Sequence, residues 1–168
     1  MTGAYIGLGT NLGDRPANIN RAISLLSKSM TIIKTSSVYE TEPEGYKGQP
    51  DFLNCVVLAE VEVDALAVLA ILKGMEKQLG RVGSFEGGPR LIDADLLFYG
   101  REVIKEPGLV VPHPRIQQRL FVLVPLAEID ADFTHPVLHK TIAQLLTGSD
   151  SQSRVVKAGR IGLNLAGE

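Results

Sequence analysis

Apolar positions along the chain fall in blocks whose spacing switches between two and three to four, as expected for strands alternating with helices. Tyr5, Ile6 and Leu8 predict a first strand, and Asp14 before Arg15-Pro16 reads as a helix N-cap with proline in the first turn. Ile19, Ala22, Ile23 and Leu26 then recur at helical spacing and predict a helix ending near Ser29. β-Branched residues between Met30 and Val38 predict a second strand, followed by a polar, turn-rich loop from Glu40 through Pro43, Gly45, Gly48 and Pro50. Immediately after Phe52-Leu53-Asn54, the run from Cys55 to Val63 reads as a buried strand. Asp64 can cap a helix whose Leu66, Leu69, Leu72, Met75 and Leu79 form one apolar stripe, and Gly80 stops it.

A connection with several glycines and an arginine at each end, Arg81 and Arg90, leads to an apolar strand around Asp93 and Asp95. A short strand follows at Val103-Ile104. Val110 to Arg115 leads into a helical region from Ile116 to Ile129, interrupted or restarted at Pro125, and Thr141 to Leu146 predicts a last helical turn or two. His135 and His139 read as structural or exposed. Ser149 to Ser153 looks like a linker, and the residues beyond it have no structural reading. The order strand, helix, strand, strand, helix, strand is that of an α+β fold.

The Asp93 strand carries the clearest chemistry. Strand side chains alternate faces, so Asp93 and Asp95 share one face while Ile92, Ala94, Leu96 and Phe98 take the other. Two like charges on a stiff apolar support repel and lose hydration unless a cation sits between them. Oxygen ligands of this kind suit Mg²⁺, which keeps waters and is completed by substrate phosphates. The plainer reading is an exposed strand with solvated acids, but Asp is depleted in strands, and the metal reading ranks first. Arg90 could grip a phosphate oxygen, and arginines at both ends of a glycine-rich loop suit a phosphate clamp. Gly7 to Gly13 is a glycine-rich turn that fits neither a Walker loop nor a dinucleotide fingerprint. Glu76, near a helix end, would ordinarily be a solvated acid.

Composition narrows the class. At 168 residues with 45% hydrophobic and 21% charged content, one domain with a real core is expected. A net charge of −2 gives no electrostatic case for nucleic acid or an anionic membrane. No apolar run reaches transmembrane length, and the N-terminus lacks a basic segment followed by an apolar one. The lone Cys55 cannot form an internal disulfide and fits a reducing compartment, so a cytoplasmic protein is expected.

Gly88-Pro89-Arg90-x-x-Asp93-Ala94-Asp95-Leu96-Leu97 resembles the signature of the 6-hydroxymethyl-7,8-dihydropterin pyrophosphokinases, enzymes of folate biosynthesis. Gly7 to Asp14 looks like the family's opening. Thr41-Glu42-Pro43 with Gln49 to Asn54 looks like its pterin-site loop, and Val111 to Arg115 with Arg119-x-Phe121 looks like its closing motif. The four run in order over roughly residues 1 to 147, leaving residues 148–168 as a tail. The resemblance implies a ferredoxin-like antiparallel sheet with helices packed on it, and diphosphate transfer from ATP to a pterin alcohol with release of AMP. It implies two Mg²⁺ ions on Asp93 and Asp95, which with Arg81 and Arg90 form the catalytic group. The pterin would be held by Thr41, Pro43, Phe52, Asn54 and Phe121. Glu76, Arg81, Arg90, His113 and Arg119 would hold ATP. Neither nucleic acid nor membrane is expected as a partner, and a monomer is slightly favoured.

Two alternatives stand beside this. A polymerase-β-type nucleotidyltransferase also uses Gly-Ser followed by Asp-x-Asp, superficially supplied by Gly83-Ser84 and the acid pair, although Gly87-Gly88-Pro89 would break the helix that Gly-Ser opens in that class. A non-catalytic pterin- or nucleotide-binding module is the other. The chain departs from the family at Gly87, where members commonly carry an aromatic residue, and Val82 to Pro89 contains no Lys or Arg. Phe85 is the sole aromatic there, so a loop that closes less tightly over ATP is expected.

Overall fold

The computed structural model describes residues 1–80 and 88–160. Arg81, Phe85, Gly87 and the Gly83-Ser84 pair therefore lie outside the described residues, as does the expectation about loop closure. The elements in order are β1 (Thr2–Thr10), α1 (Arg15–Leu26), β2 (Thr31–Thr35), β3 (Ser37–Thr41), β4 (Phe52–Val61), α2 (Ala65–Gln78) and β5 (Asp93–Tyr99). They are followed by β6 (Ile104–Glu106), β7 (Leu109–Val111), a 3-10 turn (Ile116–Gln118), α3 (Leu120–Asp130), α4 (Ile142–Thr147) and β8 (Val155–Arg160).

The main sheet runs β5-β1-β4-β3-β8, with β2 also on β4, and the pairings are antiparallel. This is the ferredoxin-like order, extended at one edge by β8; β6 and β7 form a separate hairpin.

Period-two alternation builds the two faces. On one, Ala4, Ile6 and Leu8 of β1 and Leu53, Cys55, Val57 and Ala59 of β4 pack under α1 and α2. Asp14 caps α1 by accepting from Ala17 N–H at 3.1 Å, and Asp64 caps α2 by accepting from Ala67 N–H at 2.8 Å. On the other face, Tyr5, Val56, Leu97 and Phe98 pack against Ile116, Leu123, Leu126 and Ile142. α3 and α4 cover only part of that face, and the remainder carries glycines, acids and amides.

Several local expectations are corrected. Phe98 joins the α3 side rather than the face of Ala94 and Leu96: the register between β1 and β5 slips between Tyr5 and Ile6, and the extra residue turns Phe98 towards Tyr5. The strand expected over 30–38 is broken at Ser36 into β2 and β3, with Ser36 Oγ accepting from Val56 N–H at 2.9 Å. β4 begins at Phe52, so Phe52 and Asn54 sit on the strand rather than before it. In α2 the buried stripe is Ala65, Val68, Leu72, Met75 and Glu76, while Leu66 is 51% exposed. The helical region after Ile116 breaks at Arg119, and α3 continues through Pro125, whose neighbours Val122, Leu123 and Leu126 are buried. Packing on both sides outweighs the backbone hydrogen bond that proline cannot make. His135, structural as expected, is buried and its Nδ1 accepts from Val137 N–H and Leu138 N–H, both at 3.1 Å.

Glu128 of α3 clasps the β3 edge, accepting from Ser37 N–H at 2.9 Å, Ser37 Oγ at 2.8 Å and Tyr39 OH at 2.6 Å. Burial pushes its carboxyl up, but the hydrogen bonds from Tyr39 and Ser37, helped by Lys157, outweigh that and hold it below its ordinary value. A depressed carboxylate stabilises the fold above the ordinary value near 4.5, and that stabilisation is lost as pH falls through the lower folded value. Glu128→Gln should therefore cost roughly 1–2 kcal/mol near neutrality. The gap in thermal midpoint between variant and parent should close in acid, which a melting series from pH 7 downward checks.

Candidate active site

The open part of the α3-side face is organised in cross-strand rows. Asp93 pairs with Gly9, Gly9 with Asn54 and Asn54 with Tyr39; one step along, Asp95 pairs with Gly7 and Gly7 with Val56. Paired residues share a face, so the acid pair looks across two glycines towards the amide of Asn54. Two strand spacings separate Asp93 from Asn54, about 10 Å. Gly7 and Gly9 are thus strand residues rather than part of the turn expected from sequence, and Gly13, with φ 68°, is the one that turns the chain. What Gly9 supplies is clearance: a Cβ there would lie 2.6 Å from Asn54 Oδ1.

A cleft over these rows is lined by Thr41, Phe52, Asn54, Arg90, Asp93, Asp95, Arg119 and Phe121. Asn54 is 8% exposed and its Nδ2 donates to Thr41 Oγ1 at 2.7 Å, which orients the amide. Phe52 and Phe121 supply apolar walls, and the Arg119 guanidinium lies 5.4 Å from the Phe121 ring centre. A flat heterocycle with donors and acceptors on one edge suits such a slot.

At the other end, burial first and then the Asp93 charge push the Asp95 carboxyl up to about 6, against the pull of Arg119. Two crowded, part-buried carboxylates with oxygen donors on one face fit a hard divalent cation. Arg119 Nη2 contacts Glu44 Oε1 at 2.9 Å, and its Nε is buried without a hydrogen-bond partner among the described residues. Arg115 reaches the same Glu44 oxygen at 3.2 Å. Arg90 is held by its own turn, Nη1 donating to Gly88 O at 3.3 Å and Pro89 O at 3.2 Å.

Other residues named from sequence stand further off. Pro43 is buried at the base of the loop and does not line the cleft, although its neighbours Glu42 and Glu44 do. Glu76 is 2% exposed, not the solvated acid that helix position alone suggests. It lies behind the site, its Oε2 accepting from Ala94 N–H at 2.8 Å between the two aspartates. His113 is outside the cleft lining; burial, then Arg119 and Arg115, push it down to about 4 against Asp93 and Glu44. Its Nδ1 accepts from Arg115 N–H at 3.3 Å, so the neutral ring keeps a hydrogen on Nε2.

Sequence reasoning assigned no role to Asn11 or Glu44. Asn11 is 2% exposed and ties two loops together: Nδ2 donates to Gln49 Oε1 and Pro50 O at 2.8 and 2.9 Å, and Oδ1 accepts from Arg90 N–H at 2.8 Å. Its place in Gly9-Thr10-Asn11-Leu12-Gly13, just after a strand, was the available signal.

An acid pair faced by arginines, beside an amide-and-aromatic slot on a ferredoxin-like sheet, defines a site for an anionic ligand next to a planar one. A family model described as 7,8-dihydro-6-hydroxymethylpterin-pyrophosphokinase matches residues 5–131. The 2-amino-4-hydroxy-6-hydroxymethyldihydropteridine pyrophosphokinase of Bacillus subtilis is 44% identical over 128 residues, covering 75% of this chain and 77% of that one. The protein of the same name from Aquifex aeolicus is 40% identical over 144 residues, covering 86% and 90%. The folic acid synthesis protein fol1 of Pneumocystis carinii is 44% identical over 140 residues, 83% of this chain, which spans only 19% of that relative's length. Plasmodium falciparum HPPK-DHPS crystallised with pteroate has the same fold, with a TM-score of 0.73 at 18% identity over 87% of this chain and 44% of that one. The chain belongs to the 7,8-dihydro-6-hydroxymethylpterin-pyrophosphokinase family. The nucleotidyltransferase alternative is accordingly not favoured.

Proposed function

We propose that this protein transfers diphosphate from ATP to 6-hydroxymethyl-7,8-dihydropterin, releasing AMP, as a step in folate biosynthesis. The observation that carries the reading is the placement of two half-sites on one sheet face. Asp93 and Asp95 on β5 stand at one end and Thr41, Phe52 and Asn54 on β3 and β4 at the other, with Arg90, Arg119 and Phe121 lining the same cleft. The separation of about two strand spacings leaves room for a flat ring carrying a short alcohol arm.

In this reading Asn54, oriented by Thr41, pairs with the polar edge of the pterin while Phe52 and Phe121 enclose its faces. The alcohol oxygen forms a bond to the β-phosphorus as the bond from that phosphorus to the oxygen of the α-phosphate breaks. AMP leaves with the electron pair, and the alcohol proton is released. Phosphoryl chemistry of this kind asks the protein for positioning and charge neutralisation rather than covalent help. Asp93 and Asp95 would hold two Mg²⁺ ions, which when bound offset phosphate charge and ease loss of the alcohol proton. Arg90 and Arg119, with Arg81, would hold phosphate oxygens. Glu76 steadies the acid strand from behind through Ala94 N–H, and neutral His113 offers Nε2–H as a donor on the ATP side.

Among the described residues no helix is long and apolar enough to cross a membrane. A cytoplasmic setting suits the single Cys55, which is buried, its thiol pushed up to about 12, and in no disulfide.

Incubation with ATP, Mg²⁺ and the pterin alcohol, followed by chromatography, tests the assignment. AMP and diphosphorylated pterin should appear one for one without ADP, stop on addition of EDTA, and resume with excess Mg²⁺. Binding of both ligands without AMP release would leave a non-catalytic binding module.

A further inference from the structure

We infer that Arg154, in the chain segment beyond the family match, is a positioning residue for the pterin alcohol. It acts through the loop 42–51, and the inference rests on the functional reading above. β8 pairs antiparallel with β3, Val155 opposite Thr41, and Thr41 is in turn opposite Phe52 of β4. Both residues line the cleft, so the loop between them leaves and re-enters the sheet at the pterin slot.

Arg154 holds both ends of that loop. At its start, Arg154 N–H donates to Glu42 Oε1 at 3.0 Å and Arg154 O accepts from Glu42 N–H at 3.3 Å. At its end, the guanidinium Nη2 meets Asp51 Oδ2 at 2.6 Å. Arg15 reinforces this from the other side, reaching Asp51 O at 3.0 Å and Glu40 Oε2 at 2.8 Å.

Within the loop, Lys47 Nζ donates to Pro43 O and Gln49 Nε2 donates to Tyr46 O at 2.7 Å. Residues 45–48 are exposed, and Gly45 stands at φ 84°. Its ties on the ligand side are Asn11 to Gln49 and Pro50, and Glu44 to Arg115 and Arg119. The Glu44 tie occupies the guanidinium that an anionic ligand would claim, so it competes with binding. Arg154 and Asp51 lie outside the cleft lining, so a ligand there does not compete for their ion pair. The pair lowers the ordering cost paid when the pterin enters, an effect on affinity rather than on the chemical step.

The test uses the full chain. Arg154→Ala should raise the KM for the pterin alcohol about three- to fivefold, the range of an exposed ion pair, while kcat and the KM for ATP stay within about twofold. Asp51→Asn, which cuts the pair from the loop side and leaves β8 untouched, should give the same split. Arg154→Lys, or the reversed pair Asp51→Arg with Arg154→Asp, should recover much of the loss. Hydrogen exchange of amides 43–50 without ligand should speed up in Arg154→Ala, a readout that holds whatever the substrate proves to be. Unchanged exchange and pterin KM overturn the inference. So do equal losses for ATP and pterin, or a lysine variant no better than alanine. A parent protein that turns over no pterin sinks the functional reading instead, and the exchange measurement then still decides whether Arg154 orders the loop.

Discussion

Asp95→Asn is expected to lower kcat by on the order of 10²–10³-fold while raising the thermal midpoint of the metal-free protein. Both effects come from one arrangement. Asp93 and Asp95 share a face of β5, opposite Gly9 and Gly7, and Asp95 is pushed up by burial and by its neighbour's charge. Without a cation the pair is a local cost to folding, and removing one charge relieves it. In the proposed reaction the same pair would hold the divalent cations that offset phosphate charge. Asp93→Asn should likewise lower kcat. Turnover and Mg²⁺ dependence measured beside melting in EDTA check this, and near-normal turnover with unchanged Mg²⁺ dependence would remove the two aspartates from the mechanism.

Gly9→Ala is expected to weaken the pterin alcohol by about 10- to 100-fold and ATP far less, corresponding to one or two buried polar partners left unpaired. The reason is clearance rather than backbone freedom. A methyl at position 9 would stand 2.6 Å from Asn54 Oδ1 and 3.6 Å from Phe52 Cδ1, so the amide must rotate away from Thr41 Oγ1 and off the pterin edge. Asn54→Ala removes the same amide without the clash and should show the same preference for pterin over ATP. Calorimetric titration of each ligand separately decides it. Equal losses for both ligands in both variants would place Asn54 outside the pterin slot.

Much of the fold was legible because period and punctuation are local properties. The cap at Asp14, the cap at Asp64, the helix stripe through Leu72 and Met75, and the βαββαβ order can each be read within a few residues. The errors have local physics too, but decided from a distance. Phe98 changed face because a register slip against β1 inserted one residue, which alternation within β5 cannot reveal. Pro125 stayed inside α3 because its neighbours are packed against the sheet, so the penalty of a missing N–H was met by burial.

The candidate site divides along the same line. Sequence alone determined that Asp93 and Asp95 share a face, that an arginine-bearing, glycine-rich segment precedes them, and that four motifs run in a family's order, because each is a matter of spacing along one stretch. Only the tertiary structure decided that Gly9 lies between Asp93 and Asn54, that Glu76 braces the acid strand from behind, and that Glu44 meets Arg115 and Arg119. The same holds for a chain segment that looked like a tail, which pairs with β3 and places Arg154 on both ends of the loop. Those contacts join residues far apart in the chain. They exist because a twisted antiparallel sheet brings non-neighbouring strands to within about 5 Å, which no local periodicity encodes.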